Sequence, residues 1–352
     1  MQGKGKRVFV GLSGGVDSAV SGALLLRAGA LVTGVFIKGW YPPGMPCPWA
    51  AERRDAMRVA ARLGIPFLTF DAVRAYKKNV IEYLLAEYRV GRTPNPDVRC
   101  NRDVKFGVFA DFAFAHSADF VATGHYARTV FARENGAGIA LLRGKDAEKD
   151  QSYFLWAVEP SILAKTIFPL GEMQKEKVRA QARAWHLPVA RKKDSQGVCF
   201  LGEVSIDELL RSEFDIVPGP AVCEDGREVG RHNGAMCYTL GERVTLSGAP
   251  QGPWYVLAKN IKNNTLTVSR EKWKPHTTGE AIILRSCNWI ANPSRTREAQ
   301  YRYHGPVVKG KIVMTNTKCA FEAREPLPEP PAAGQSLVAY CGEECIGGGI
   351  IS

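Results

Sequence analysis

The 352-residue chain contains no apolar run of the ~18–20 residues that a membrane-spanning helix requires; its best candidate, residues 19–37, is interrupted by Arg27, Gly29 and Thr33. The basic start, Met1-Gln-Gly-Lys-Gly-Lys-Arg7, is too short to read as a signal or transit peptide. Nor is there a disulfide framework. Nine cysteines, an odd and scattered set, read as reduced thiols and point to a cytoplasmic protein with no membrane partner. No Cys/His set offers four ligands at the spacing of a zinc site. Acidic charge is in short supply: 35 Asp and Glu face 47 Lys and Arg, a net +12. Such a surplus favours a polyanion as partner, nucleic acid first. What is present, 45% hydrophobic residues against 23% charged, excludes wholesale disorder, and the length accommodates two or three domains.

The first 212 residues alternate strand and helix patterns. Apolar runs at 7–12, 31–37, 65–70 and 119–123 read as buried strands. Apolar residues at helical spacing from Val16 towards Gly29 and over 50–63, 72–90 and 104–115 read as helices between them. This pattern predicts an α/β domain with a parallel sheet covered on both faces, where ligands bind at the carboxyl ends of the strands. Beyond residue 212, Gly and Pro become frequent. Short alternating runs at 254–257, 265–268, 281–284, 307–314 and 337–340, with turn signals such as Asn263-Asn264 and Lys309-Gly310, predict antiparallel β-structure in small barrels. The expected division is a catalytic domain over 1–212, a β-rich central domain over 213–276 and a C-terminal β-barrel over 277–352. Residues 326–333, rich in proline, read as a rigid surface segment. The charge follows the division: residues 1–212 hold 31 basic and 21 acidic side chains, and the remainder 16 and 14. The polyanion is therefore expected on the first half.

Three segments carry chemistry. Gly11-Leu-Ser-Gly-Gly-Val-Asp-Ser18 lies between the first strand and the first helix. Glycines there let a ligand approach the backbone, and the helix start offers free N–H groups, which together make an anion cradle. It is neither a Walker A loop nor a Gly-x-Gly-x-x-Gly turn. Asp17 is a candidate ligand for Mg²⁺, which binds phosphates together with one or two carboxylates. Thr93-Pro-Asn-Pro-Asp-Val-Arg-Cys-Asn101 is a stiffened loop that puts Cys100 at or just before a helix start, flanked by Arg99 and Arg102, a setting that favours thiolate. Arg191-Lys-Lys-Asp-Ser-Gln-Gly-Val-Cys-Phe200 sets a second cysteine, Cys199, in a basic loop. His125 and His232, in turn-rich segments, read as structural hydrogen-bonding residues.

Ser13-Gly-Gly-Val-Asp-Ser18 resembles the PP-loop of N-type ATP pyrophosphatases. These cleave ATP between its α- and β-phosphates and adenylate an oxygen of the substrate; amide-forming ligases and RNA-thiolating enzymes both belong to the group. Further motifs in order, Asn95-Pro-Asp-x-x-Cys100-Asn, Thr123-Gly-His-Tyr-Ala-Arg128, Lys149-Asp-Gln-Ser-Tyr-Phe-Leu155, Asp194-Ser-x-Gly-x-Cys-Phe200, Gly230-x-His-x-Gly234, Arg302-Tyr303 and Gly347-Gly-Gly-Ile-Ile351, resemble the tRNA-specific 2-thiouridylases over the full length.

The resemblance implies a sheet of the adenine nucleotide α-hydrolase, Rossmann-like type and a reaction in which ATP, with Mg²⁺, adenylates the 2-carbonyl oxygen of the wobble uridine. A persulfide on Cys199, loaded by a sulfur-donor protein, then supplies sulfur. Cys100 attacks the activated carbon or resolves the persulfide to a Cys100–Cys199 disulfide, and Asp97 acts as acid/base. It assigns ATP to Gly11, Leu12, Ser13, Gly14, Gly15, Val16, Asp17, Ser18, Ile37 and Gly124. The target base falls to Asn95, Pro96 and Asp97, and the rest of the tRNA to Lys149, Asp150, Gln151, Arg302 and Tyr303. The chain departs from the family where Ile37 replaces the usual Met, where Glu242 replaces Gln, and in the Pro-rich insert 41–49. An amide-forming ligase would leave both cysteines without a task; a tRNA-binding protein without catalysis would leave intact Ser13, Asp17 and Asp97 unexplained.

Overall fold

A computed structural model describes residues 3–44, 49–131, 138–194, 199, 202, 204–272 and 281–352. Chain order β1 (Arg7–Gly11), α1 (Val16–Arg27), β2 (Leu31–Lys38), α2 (Trp49–Leu63), β3 (Phe67–Asp71) follows the expected alternation. After two further helical runs the chain adds β4 (Phe120–Ala122) and a short strand at Thr166–Ile167. The five strands form one parallel sheet in the order β3-β2-β1-β4 and Thr166–Ile167. Its central strands are apolar on both faces, with Val8 and Val10 fully buried on one side and Phe9 on the other, because helices cover both. The strand order reverses between β1 and β4. The loops that leave their carboxyl ends, 12–15 and 123–126, therefore diverge around a crevice, the place where such sheets bind ligands.

The fourth helical pattern begins earlier than its apolar periodicity. Asn95 accepts hydrogen bonds from the N–H groups of Asp97 and Val98 at 3.1 and 3.3 Å, and Pro96 occupies the first turn. Helix Pro96–Arg99 then runs into a π-helical stretch, Cys100–Val108, and into helix Phe109–Ala115. Cys100 thus lies one turn inside the helix instead of at its start.

The β-rich remainder forms two sheets. A five-stranded one spans Gly219–Val222 to Thr265–Ser269. The other closes as a six-stranded antiparallel barrel, since Ala281–Trp289 pairs with both Cys319–Ala323 and the last strand, Glu344–Ile351. A hairpin from the first half, Ala127–Val130 and Ala140–Arg143, extends this barrel sheet by pairing with Glu344–Ile351. That last strand escapes propensity rules because of its three glycines, which permit close contact: a Cβ on Gly348 would come within 2.4 Å of Leu337 O and 3.1 Å of the Trp156 ring.

The Pro-rich segment 326–333 is not the surface spacer expected. Leu327, Pro330 and Ala332 are buried, and Ala333 O accepts the Thr93 N–H at 2.8 Å, so the segment straps the barrel to the catalytic loop. No helix among the described residues is long and apolar enough to cross a membrane.

Candidate active site

The phosphate end begins where β1 gives way to α1. Gly14 has φ +76°, and a Cβ there would lie 2.4 Å from Glu52 O. Across the crevice, a Cβ on Gly124 would come within 2.9 Å of the Ser18 nitrogen. Both positions need glycine to keep the helix start uncovered. Ser18 Oγ lies 3.2 Å from Ser13 Oγ and donates to Gly15 O at 3.1 Å, which fixes the loop around the first turn. The cradle fits a nucleotide's phosphates. The side chains of Leu12, Val16 and Ile37 are packed in the core, so these residues can offer a nucleotide only backbone. Gly11 and Gly15 are half-buried at the two ends of the loop.

Asp17 is anchored by side chains that sequence reading left without a role. Lys175, the first residue of helix Lys175–Ala184, contacts both its carboxylate oxygens at 2.8 Å, and Tyr126 OH donates to Oδ1 at 2.9 Å. Lys175 also pairs with Asp194 at 2.9 Å, and Asp194 gathers Arg179 and, at 3.4 Å, Lys149. Asp194 is held below the usual carboxylate range: burial opposes its charge, but Lys175, Arg179 and Lys149 outweigh burial. Lys175, Arg179 and Lys192 (2.8 Å from Asp55) are thus engaged in ion pairs instead of lying free in solvent. Among the described residues no group of three or more His, Cys, Asp and Glu is placed to hold a metal. Asp17 remains the carboxylate beside the cradle, a donor that suits Mg²⁺.

The sulfur end lies around Cys100, which is fully buried, and Cys199, which is partly exposed. The two thiols are free and hydrogen-bond to one another. Cys199 is also tethered through its backbone: its N–H donates to Asp97 Oδ1 at 3.0 Å, and its carbonyl accepts Tyr76 OH at 2.5 Å. Residues 195–198 and 200 of that motif lie outside the described residues.

Burial pushes the Cys100 thiol well up, with the charge of Cys199 adding to it. The Cys199 thiol is lowered by the hydrogen bond from Cys100, against burial and with the help of the Lys105 ammonium. Asp97 is raised by burial, an effect only partly offset by the Cys199 N–H and Lys105. Such a carboxyl holds a proton more readily than an exposed one, which suits it to proton exchange. Arg99 and Arg102, expected to activate Cys100, pair instead with Asp103 at 3.2 and 2.7 Å. The cation at the thiols is Lys105. Its only sequence signal is its place five residues beyond Cys100 in a helix.

Residues 123–126 join the two ends. Gly124 packs on α1, Tyr126 reaches Asp17, and between them the buried His125 stacks on Phe106 with ring centroids 5.8 Å apart and feels the charge of Lys105. Burial, with Lys105, keeps His125 well below its ordinary pKa, and its Nδ1 hydrogen-bonds Thr123 Oγ1 at 2.7 Å. It is a structural imidazole, as is His232, whose nitrogens contact Asn264 O and the Gly234 N–H.

The remaining expected residues are scattered in role. Tyr303 is 37% exposed, is pushed up to about 12 by burial with Asp150 and Asp97, and stacks at 4.3 Å on Phe154, whose carbonyl accepts from Asn101, the neighbour of Cys100, at 3.4 Å. It lines a cavity of about 300 Å³ with Arg143, Tyr153 and Gln300. Arg302 points away, to Leu240 O at 2.7 Å and Glu329 at 3.4 Å. Asp150 is buried, accepting from Gly144 N, Ser152 N and Ser152 Oγ at 2.9–3.0 Å, and Gln151 Oε1 accepts Tyr126 N–H at 3.1 Å. Glu242, the family's Gln, accepts the Thr239 N–H at 2.9 Å within its own turn. Thr93, at the root of the Asn95-Pro96-Asp97 loop, is bound from both β-domains: its carbonyl accepts from Gln335 at 2.9 Å, and its hydroxyl from Lys259 at 3.4 Å.

Three family models cover nearly the whole chain: a tRNA methyl transferase HUP domain over residues 6–203, a tRNA methyl transferase PRC-barrel domain over 208–270, and an aminomethyltransferase β-barrel domain over 279–351. The tRNA-specific 2-thiouridylase MnmA of Acinetobacter baumannii (strain SDF) is 41% identical over 365 aligned residues, covering 98% of this chain and 97% of that protein. The chain belongs to the tRNA-specific 2-thiouridylase family. The MnmA of Stutzerimonas stutzeri (strain A1501) agrees, with 40% identity over 98% of this chain and 94% of its own length. Among solved structures, a 4-thiouridine synthetase in complex with RNA and ATP covers 59% of this chain and 49% of its own at 20% identity, with a TM-score of 0.36. Membership rests on the models and the sequence relatives.

Proposed function

We propose that this chain is an ATP-dependent tRNA-uridine 2-sulfurtransferase acting in the cytoplasm on the wobble uridine. The observation that carries the reading is the meeting of Asp97, Cys100 and Cys199 at one end of a crevice whose other end is the phosphate cradle, with residues 123–126 common to both. ATP supplies the group that turns the 2-carbonyl oxygen into a leaving group. Residues 11–18 and Gly124 bind it through backbone, and Asp17 is the residue to hold Mg²⁺. Lys175 neutralises the carboxylates that would otherwise repel the phosphates.

Cys199, partly exposed and with its thiol pKa lowered, suits loading by a persulfide-bearing donor protein. Its outer sulfur then attacks C2 of the activated uridine and the C–O bond to AMP breaks; Cys100, giving its proton to Asp97, attacks the inner sulfur, so that the S–S bond breaks, the outer sulfur stays on C2 and a Cys100–Cys199 disulfide forms. Cys100, buried and protonated, fits this resolving role better than first attack. Asp97 receives and returns the protons. Asn95, Pro96 and Asp97 frame a base that must leave its stack to reach both ends. Tyr303 is available for stacking, and Lys149 for phosphate. The proposed domains are 1–212 for catalysis, 213–276 and 277–352 for RNA.

Mass spectrometry of tRNA nucleosides from cells lacking the protein tests the reading. Loss of 2-thiouridine is expected; an unchanged 2-thiouridine content would overturn it, and AMP release that requires an amine and ignores both cysteines would point to a ligase.

A further inference from the structure

The cation of the sulfur end has no part in the steps above. Lys105 follows Cys100 by five residues within the π-helical stretch Cys100–Val108, and in a helix wound with i→i+5 bonds two such residues stack on one face. Its ammonium hydrogen-bonds the Cys199 sulfur, which also receives the Cys100 thiol. The rest of Cys199 cannot drift away from this contact, because Asp97 takes its N–H at 3.0 Å and Tyr76 holds its carbonyl. Two elements therefore hold Cys199, the helix carrying Asp97, Cys100 and Lys105 and the helix Val73–Tyr76, and the loop after β4 brings His125 to Lys105.

The titratable groups around Cys199 are Cys100 and Lys105 at its sulfur and Asp97 and Tyr76 at its backbone, with His125 beside Lys105. Tyr76 and His125 are neutral, the first raised and the second lowered by burial. Asp97 is the one acid, and its negative charge works against an anion on Cys199. Lys105 is thus the one cation among these groups able to offset it.

We propose that Lys105 is a catalytic residue of sulfur transfer, its ammonium holding the anionic sulfur on Cys199 both before and after loading. The proposal rests on the reading of Cys199 as the sulfur carrier. In the loading step, the Cys199 thiolate attacks the outer sulfur of a donor protein persulfide, a new S–S bond forms, the donor's S–S bond breaks, and the donor leaves as its thiolate. The donor thiolate takes up the S–H proton of the new persulfide, which leaves the negative charge on the outer sulfur of Cys199, with no external oxidant or reductant. Lys105 keeps its proton throughout and stabilises the charge at each stage. The same charge orients the outer sulfur as a nucleophile and leaves Asp97 to handle protons.

The test is the pH profile of Cys199 alkylation by iodoacetamide in the full-length protein, read by peptide mass spectrometry without tRNA, ATP or donor. In the unsubstituted protein, half-maximal alkylation of Cys199 is expected below the ~8.5 of an ordinary thiol. Lys105→Met should move it up by about one unit or more, an alkylation rate about tenfold lower near pH 7, while Lys105→Arg restores most of the loss. Melting temperature and ATP affinity of each variant report folding. A Lys105→Met profile that coincides with the unsubstituted one would overturn the proposal. So would a Cys199 that titrates as an ordinary thiol in the unsubstituted protein, a result that needs no variant to fold. Thiolation of tRNA is assayed separately: a shifted profile with no thiolation sinks the proposed function and leaves the Lys105–Cys199 pair standing, and the reverse result sinks only the pair.

Discussion

At the phosphate end, residues 11–18 between β1 and α1 supply backbone N–H groups, hydroxyls and the Asp17 carboxylate in one local turn, with Gly124 opposite. At the sulfur end, Tyr76, Asp97, Cys199 and the 100–105 stretch come from segments as far apart as 123 residues in sequence. The first is polar, half-open and charge-balanced by the Asp17–Lys175–Asp194 bridge; in the second, burial raises the Cys100 thiol and the Asp97 carboxyl, while the Cys100 hydrogen bond and Lys105 lower Cys199 against it. Anion binding needs oriented dipoles, which a short turn provides. Control of a thiol needs desolvation and a placed charge, which only tertiary convergence provides.

If the two ends are functionally separate, substitutions should separate them. The largest effect is expected from Cys199→Ala: tRNA thiolation falls by at least ~10³-fold while ATP affinity changes less than about twofold. Equal losses would show that the ends do not act independently. Lys175→Met should do the converse. It leaves Asp17 and Asp194 facing a phosphate without their shared cation, so the ATP Kd is expected to rise at least ~30-fold, with Cys199 alkylation unchanged.

This asymmetry also governs what the sequence discloses. The parallel sheet, the crevice loop and the β-rich second half follow from periodicity and glycine placement, because these patterns are local. The pairing of Cys199 with Asp97, the Lys175 bridge and the choice of Lys105 over Arg99 and Arg102 are not readable, because nothing within either segment names its partner. Neighbours at i±1 and i+2 on a helix point away from Cys100, and Asp103 takes both arginines. The hairpin that joins the barrel, Ala127–Val130 and Ala140–Arg143, was hidden in the same way, since its pairing strand is some two hundred residues further on.

The sulfur end is coupled to the β-domains through Thr93. Lys259, which donates to Thr93 and to Tyr238 O, is lowered by burial to about 8. An unfolded lysine titrates near 10.4, so between these values the unfolded chain binds more protons than the native one, and stability rises with pH. Relative to Lys259→Met, the unsubstituted protein should gain on the order of 2–3 kcal/mol from pH 8 to pH 10.5 in chemical denaturation. A pH-independent difference would remove Lys259 from the buried side of that contact. The smallest effect is electrostatic: reversing Lys192 and Lys193 should weaken tRNA binding and flatten its salt dependence more than reversing Lys272 and Lys274, by roughly one unit of slope per lost phosphate contact.

The central claim is that ATP chemistry and persulfide chemistry meet on one uridine. Unmodified tRNA transcript incubated with the protein, ATP, Mg²⁺ and a protein persulfide donor, followed by nucleoside mass spectrometry, tests it most directly. The account predicts 2-thiouridine that appears with release of AMP and requires Cys199. AMP release without any thiolated nucleoside, or full thiolation by Cys199→Ala, would contradict it.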